Sequence, residues 1–131
     1  MHRGISWSND GGDSWTSPLY LAGTLIDPIV YGAMTTDAFG TGSMLVFTNP
    51  SSPTKRVNLT MFSSIDGGLT WEFAVTLDNR SAAATYSSVV QLPNGSYVVQ
   101  WGVGATHAHK CLGTDCGAVQ AVVGFTTPRG G

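Results

Sequence analysis

Arg56 and Tyr86, 30 positions apart, carry the side chains whose chemistry matters most in this 131-residue sequence. A guanidinium stays charged at any working pH, and its planar fork can bind a carboxylate through two hydrogen bonds. A phenol has a reference pKa of about 10, so it needs a base beside it before it can act as a nucleophile. Structural alternatives stay open for both residues, since Arg56 could be a solvated arginine at a strand start and Tyr86 an ordinary strand aromatic.

The eight acidic residues of the chain supply no pair that stands out as an acid/base couple. Asp10, Asp13 and Asp66 lie in glycine-rich turns, and Asp27 precedes Pro28, where turn initiation is the default interpretation. The remaining acidic residues are expected to be solvated on a strand or placed in loops, and they are Asp37, Glu72, Asp78 and Asp115.

A second group of reactive side chains lies between residues 107 and 116. In an extended strand His107, His109 and Cys111 would face one way, and Cys116 could complete a tetrahedral zinc site. The spacing is unlike that of common zinc motifs, so we expect no metal and no other cofactor. A disulfide between the two cysteines, two free thiols and a plain surface loop all stay open.

The composition excludes several classes of function. Charged residues make up 11% of the chain, well below the roughly 25% that is usual in soluble domains, and 17 glycines accompany closely spaced turn signals. The formal net charge of −2 shows no basic surface for nucleic acid, and no apolar stretch has the length of a membrane span. We therefore expect an all-β protein without a nucleic-acid partner or a membrane span.

An eight-residue motif of the form Ser-x-Asp-x-Gly-x-(Ser/Thr)-Trp occurs at residues 8–15 and again 56 residues later, at residues 64–71. Its chemistry is that of a hairpin turn, because glycine takes positive φ and an aspartate side chain can bond the backbone a few residues on. The tryptophan is expected to pack sideways against the sheet. The structural positions are Ser8, Asp10, Gly12 and Trp15 in the first copy, and Ser64, Asp66, Gly68 and Trp71 in the second.

This motif is the Asp-box, and the repeat resembles that of the sialidase-type β-propellers. Strand-like stretches between turn signals predict nine strands: two around the first box, four between 29 and 77, and three between 86 and 126. A propeller blade has four antiparallel strands, so the chain would hold about 2.3 blades of a six-bladed propeller. We expect 4–16 to end one blade, 29–77 to be a complete blade and 85–126 to be an incomplete last blade.

Two further passages resemble the sialidase family. Residues 47–60 are similar to its passage of strand, Asn/His-Pro, short loop and arginine ahead of an Asp-box. Residues 83–96 are similar to its Ala/Gly-Tyr-Ser segment before a Pro-(Asp/Asn)-Gly turn. The resemblance implies that Arg56 helps to clamp the carboxylate of sialic acid and that Tyr86 is the nucleophile. A phenol avoids the repulsion that a carboxylate nucleophile would meet from the carboxylate of the substrate.

The sequence also departs from the family. Gln100-Trp101-Gly102 stands where the family usually has Tyr-Glu, and Val30-Tyr31-Gly32-Ala33 stands where many members have Cys-Gln-Gly-Ser. The family has two more clamp arginines, an acid/base aspartate and a glutamate that deprotonates the tyrosine. We expect these upstream of Met1, so the chain would be the C-terminal fragment of a propeller and inactive alone.

The resemblance implies an exo-α-sialidase, a retaining glycosidase that releases terminal sialic acid from glycoconjugates. Its partners would be sialylated glycoproteins, glycolipids or oligosaccharides, together with the missing upstream blades. Two alternatives stay open: a non-catalytic propeller that binds sialic acid or another glycan, and a purely structural propeller. Glycosylation sequons at Asn58, Asn79 and Asn94, with the cysteine pair, favour a secreted or lumenal setting.

Overall fold

The structure is a computed structural model that describes residues 2–21, 23–40, 42–79, 83–104 and 117–124. All regular structure within these residues is β-strand, arranged in three antiparallel sheets that do not close on one another. The first sheet pairs β1 (Gly4–Ile5) with β2 (Leu19–Tyr20). The second contains β3 (Ala33–Thr36), β4 (Leu45–Pro50), β5 (Leu59–Ser64) and β6 (Glu72–Asp78). The third contains β7 (Ala83–Gln91), β8 (Tyr97–Gly104) and β9 (Gly117–Val123).

Neighbouring strands in each sheet follow one another in the chain, and every pair is antiparallel. A local connection can join two antiparallel neighbours. This up-and-down order is typical of propeller blades, and the all-β prediction is confirmed. None of the described residues forms a helix of the length and apolarity that crossing a membrane requires.

Several strand boundaries differ from the predicted ones. The strand expected to begin at Ile29 begins at Ala33, because Ile29 has a left-handed φ of 62° that interrupts the extended backbone. Strand β4 ends at Pro50, beyond the residues that pair with β3, so the missing N–H of the proline interrupts no pairing with that strand. Arg56, expected at a strand start, lies instead in the loop before β5.

The strand that returns from the first box, β2, begins only at Leu19, beyond the predicted range of 4–16. The Thr16 amide does donate to the Trp7 carbonyl at 2.9 Å, and the Trp7 amide donates to Thr16 Oγ1 at 3.0 Å. Pro18 follows, and since proline has no N–H the ladder cannot continue through it. Pairing therefore resumes only at β2.

Two apolar clusters join the three sheets. The larger one lies between the second and third sheets, and its buried members include Val46, Met61, Tyr97 and Trp101. The smaller cluster lies between the first and second sheets and is built on Leu25, Phe62 and Trp71. Each sheet thus buries a face against its neighbour, as stacked blades do.

The first Asp-box is a closed set of short-range hydrogen bonds. Ser8 Oγ accepts from the Gly12 amide and donates to Asp10 Oδ1, both at 2.8 Å. Asp10 Oδ1 in turn accepts from the Ser14 amide at 3.0 Å. Trp15 Nε1 donates to the Gly12 carbonyl at 3.0 Å, so the ring lies back over the turn.

The second Asp-box repeats this pattern almost bond for bond. Ser64 Oγ accepts from the Gly68 amide at 2.9 Å and donates to Asp66 Oδ1 at 2.8 Å. The Thr70 amide donates to Asp66 Oδ1 at 2.9 Å, and Trp71 Nε1 donates to the Gly68 carbonyl at 2.9 Å. The turn is thus specified by the residues of the motif itself.

The two boxes differ in what covers them. Trp71 is 7% exposed and meets the Phe47 ring edge to face, whereas Trp15 is 64% exposed. The first sheet supplies part of the cover, because Trp7 Nε1 donates to the Gly67 carbonyl at 2.7 Å. Within the described residues no preceding sheet covers Trp15 in the same way.

This difference predicts unequal effects of one substitution. We expect Trp71→Ala to lower the free energy of unfolding by about 3 kcal/mol or more, because a large buried ring is replaced by a cavity. Trp15→Ala should cost about 0.5 kcal/mol or less in the same 131-residue chain, since the ring is already in water. Urea denaturation of both variants measures this, and equal losses would contradict it.

The box aspartates should make stability depend on pH. Hydrogen bonds from the Thr70 hydroxyl, which has the largest effect, and from the Thr70 amide lower the pKa of Asp66 to about 2. Hydrogen bonds from the Ser14 hydroxyl and amide lower the pKa of Asp10 below its ordinary range. A carboxyl whose pKa is lowered by folding stabilises the folded state above its unfolded value of about 4. That contribution disappears as the pH falls through the folded pKa.

We therefore expect stability to fall as the pH drops from about 4 to about 2, with a shallower fall in Asp66→Asn. A carbon-13 NMR titration of the carboxyl groups follows the two aspartates directly. Titration of Asp66 at its ordinary value of about 4 would show that the bonds of the box do not hold the carboxylate in solution.

Candidate functional site

A cavity of about 410 Å³ opens where the loop before β3, the loop between β4 and β5, and strand β7 meet. Its walls include Arg3, Asp27, Arg56, Tyr86 and the segment 29–32. The second Asp-box lies at the other end of the second sheet, because it begins at Ser64, the last residue of β5, which pairs with Leu45, the first residue of β4. The second Asp-box and the cavity thus lie at opposite ends of the second sheet.

A β-bulge sets the position of Tyr86. Ala84 pairs with Val103 and Ser87 pairs with Trp101, so β7 uses one more residue than β8 over this stretch. Bulges bend a strand and redirect a side chain, and they are common beside functional sites. Tyr86 lies inside the bulge, is 57% exposed and faces the cavity.

Arg56 lies directly beside Tyr86. Its guanidinium carbon is 5.4 Å from the centroid of the Tyr86 ring, within the range of a cation–π contact. Two cross-sheet contacts fix this pair: the Ala84 amide donates to the Arg56 carbonyl at 2.6 Å, and Ser87 Oγ lies 2.9 Å from Thr48 Oγ1. The two residues singled out from the sequence are therefore brought together, although 30 positions separate them.

The Arg56 guanidinium has no carboxylate partner among the described residues. Its Nε atom is buried and has no hydrogen-bond partner within the described residues, and no described carboxylate forms an ion pair with it. A guanidinium that lines an open cavity and has no carboxylate partner among the described residues can bind an anion that enters.

Arg3 is a residue of the cavity that sequence reasoning missed. Its Nε atom lies 3.2 Å from Asp27 Oδ2, its guanidinium donates to the Val30 carbonyl, and it stacks over the Phe47 ring at 5.5 Å. The available signal was Asp27 itself, an aspartate between the apolar pairs Leu25-Ile26 and Ile29-Val30, since a buried carboxylate needs a cation.

Asp27 does more than begin a turn. Its Oδ1 atom accepts from the Val30 amide at 3.2 Å while Oδ2 faces Arg3, so both oxygens hold the loop before β3. Of the described residues that line the cavity, Asp27 is the one carboxylate, and Arg3 already neutralises it. Its geometry suits anchoring better than proton transfer.

The other acidic residues and the metal candidates lie elsewhere. Asp37 accepts from Gln91 Nε2 at the box end of the sheets, and Asp78 accepts from Trp101 Nε1 at 2.9 Å. Glu72 is exposed at the start of β6, and Asp10, Asp13 and Asp66 belong to the boxes. The candidates outside the described residues are His107, His109, Cys111, Asp115 and Cys116.

The Arg3–Asp27 pair gives a stability test. We expect Asp27→Ala to lower the free energy of unfolding by about 1–3 kcal/mol, because Arg3 then loses its counter-ion in a partly buried position. The matched control is Asp13→Ala, at an exposed box position, which should change it by about 0.5 kcal/mol or less. Thermal unfolding of both compares them, and equal stability would mean that the pair does not hold the loop.

The chain was compared with known proteins. Residues 1–99 match the model of a family described as BNR repeat-like domain. The structure is similar to that of the intramolecular trans-sialidase from Ruminococcus gnavus, solved in complex with oseltamivir carboxylate, with a TM-score of 0.59 and 15% sequence identity. The match covers 76% of this chain and 23% of that one, and at this identity it concerns the fold alone. No curated protein sequence matches the chain.

Proposed function

The chain belongs to the family of BNR repeat-like domains, and on this basis we propose that it is the C-terminal part of a propeller that hydrolyses terminal α-linked sialic acids. The observation that carries the proposal is the shared cavity of Arg56 and Tyr86. The sialidase-like fold and the resemblance of residues 47–60 and 83–96 to the family point the same way.

Arg56 would bind the substrate by its carboxylate. Its guanidinium lines an open cavity, forms no ion pair within the described residues, and contacts the ring of the proposed nucleophile. Bidentate binding of a carboxylate fixes both the position and the orientation of the sugar. Arg3 adds a second positive group nearby, but its ion pair with Asp27 leaves Arg56 as the principal anion-binding side chain.

Tyr86 would attack the anomeric carbon. In a retaining reaction the Tyr86 oxygen forms a bond to that carbon as the bond to the leaving oxygen breaks, and a general acid protonates the leaving oxygen. A base takes the phenol proton as this bond forms. Water then attacks the anomeric carbon and gives a proton to the deprotonated general acid, while the bond to Tyr86 breaks and the base returns the proton to the phenol oxygen. The cavity offers neither group within the described residues, because Asp27 is held by Arg3 and Val30.

Further blades of the same propeller would supply these groups. Closed propellers have at least about four blades, and the three sheets that the described residues form do not close on one another. Trp15 is exposed, whereas the preceding sheet covers Trp71, so the first sheet presents a face of the kind that a blade covers. The chain also spans 23% of the length of the trans-sialidase that it resembles. In this proposal the 131-residue chain by itself has no sialidase activity.

A propeller that binds sialic acid without hydrolysing it is the second candidate function. The engagement of Asp27 by Arg3 and the presence of Gly102 where the family usually has glutamate favour it. Both candidates require sialic acid to bind at Arg56, and they differ in turnover. Titration with sialic acid and a sialoside hydrolysis assay therefore separate them.

In the full propeller we expect Tyr86→Phe to lower turnover of an α-sialoside by at least about 100-fold while leaving the affinity for sialic acid within about threefold. The reason is that the phenol oxygen takes part in bond formation, whereas the ring and Arg56 remain. Tyr20→Phe, at an exposed position of the first sheet, is the matched control and should retain turnover.

If Tyr86→Phe hydrolysed the sialoside at nearly the wild-type rate, Tyr86 would not be the nucleophile. Hydrolysis of a sialoside by the purified 131-residue chain would contradict the need for further blades.

A further inference from the structure

The segment before β3 directs two apolar side chains into the cavity. Ile29 is 65% exposed and Tyr31 is 77% exposed, and both line the cavity beside Arg56 and Tyr86. Val30, between them, is only 5% exposed. Exposed and buried side chains thus alternate along this segment, and Ile29 and Tyr31 form an apolar wall of the cavity. Contact between apolar side chains and water is unfavourable, so a ligand that covers the wall gains free energy.

The apolar wall is held in place by its surroundings. Ile29 has a φ of 62°, a left-handed conformation that is rare for a β-branched residue and persists only where the neighbours enforce it. Asp27 binds the Val30 amide, Arg3 binds the Val30 carbonyl, and Asn49 Nδ2 donates to the Ile26 carbonyl at 3.0 Å.

Close packing continues at the next residue. A Cβ atom on Gly32 would lie 2.8 Å from the Thr48 carbonyl oxygen and closer still to the Phe47 ring, so the segment is pressed against β4. The wall is therefore a fixed part of the cavity rather than a loop that happens to lie there.

Tyr31 also touches the proposed nucleophile. Its ring meets the Tyr86 ring edge to face, with centroids 5.8 Å apart and an interplanar angle of 87°. Arg56 contacts the same Tyr86 ring. A sugar whose carboxylate lies on Arg56 would have its reacting carbon near Tyr86, and Ile29 and Tyr31 line the same cavity beside it.

We propose that Ile29 and Tyr31 form the subsite for the group attached to the anomeric carbon, and that they favour sialosides whose leaving group has a flat, apolar face. This inference rests on the proposed function, because it assumes that the carboxylate of the sugar binds at Arg56. The physical basis is the apolar area of an exposed tyrosine ring, which a flat group covers and a small one does not. Tyr31 is thus a specificity-determining residue.

The test uses S-linked α-sialosides, which resist hydrolysis, in the full protein. Calorimetry measures the affinity for free sialic acid, a methyl thiosialoside and an aryl thiosialoside. We expect the wild type to bind the aryl compound about tenfold more tightly than the methyl compound. Tyr31→Ala should reduce this ratio to about twofold or less, and Tyr31→Phe, which keeps the ring, should restore it.

Two further variants control for misfolding and for effects of removing any exposed tyrosine. Ile29→Gly removes the other half of the wall while relieving the positive φ, so it should fold well and still lower the aryl-to-methyl ratio. Tyr20→Ala removes an exposed tyrosine away from the cavity and should leave the ratio unchanged.

The possible outcomes distinguish failure of the subsite from failure of the proposed function. If free sialic acid and the methyl compound bind but the ratio is unaffected by Tyr31→Ala, the subsite is wrong and the proposed function stands. If the wild type shows no aryl preference, the subsite is wrong in the same way. If free sialic acid does not bind at all, the proposed function fails and the subsite fails with it.

Discussion

The contact between the loop that carries Arg56 and strand β7 is the constraint on which the cavity depends. The Ala84 amide donates to the Arg56 carbonyl at 2.6 Å, and Ser87 Oγ meets Thr48 Oγ1 at 2.9 Å. These bonds lie on either side of the bulge that contains Tyr86. Because unpaired backbone groups are costly when buried, the contact fixes the register between two sheets and with it the distance between guanidinium and phenol.

The same chain shows how a repeated motif can be locally complete and still depend on its neighbours. Both Asp-boxes make nearly the same hydrogen bonds, yet Trp71 is buried and Trp15 is exposed. The motif specifies the turn, whereas burial of its tryptophan depends on the sheet that comes before. A sialidase-like fold made of such units gains stability from contacts between adjacent blades, so each blade is supported by the next.

Much of the fold could be predicted from the sequence, because glycine turns and the Asp-box are local signals. The nine strands in three antiparallel sheets that the described part of the chain forms follow from them. Three features could not be predicted: the bulge at Tyr86, the left-handed Ile29, and the identity of Arg3 as the cation that Asp27 needs. Each arises from contacts between residues far apart in the chain, which spacing and periodicity do not report. The pairing of Arg56 with Tyr86 was accessible only through family resemblance.

The central claim, that Arg56 and Tyr86 form one sialic acid site, is tested most directly by a crystal structure of the protein with sialic acid bound. The account predicts that the carboxylate accepts hydrogen bonds from the Arg56 guanidinium at about 2.8 Å. It also predicts that the anomeric carbon lies about 3–3.5 Å from the Tyr86 oxygen, in position for attack. Sialic acid bound elsewhere, or bound here with its carboxylate turned away from Arg56, would contradict the account.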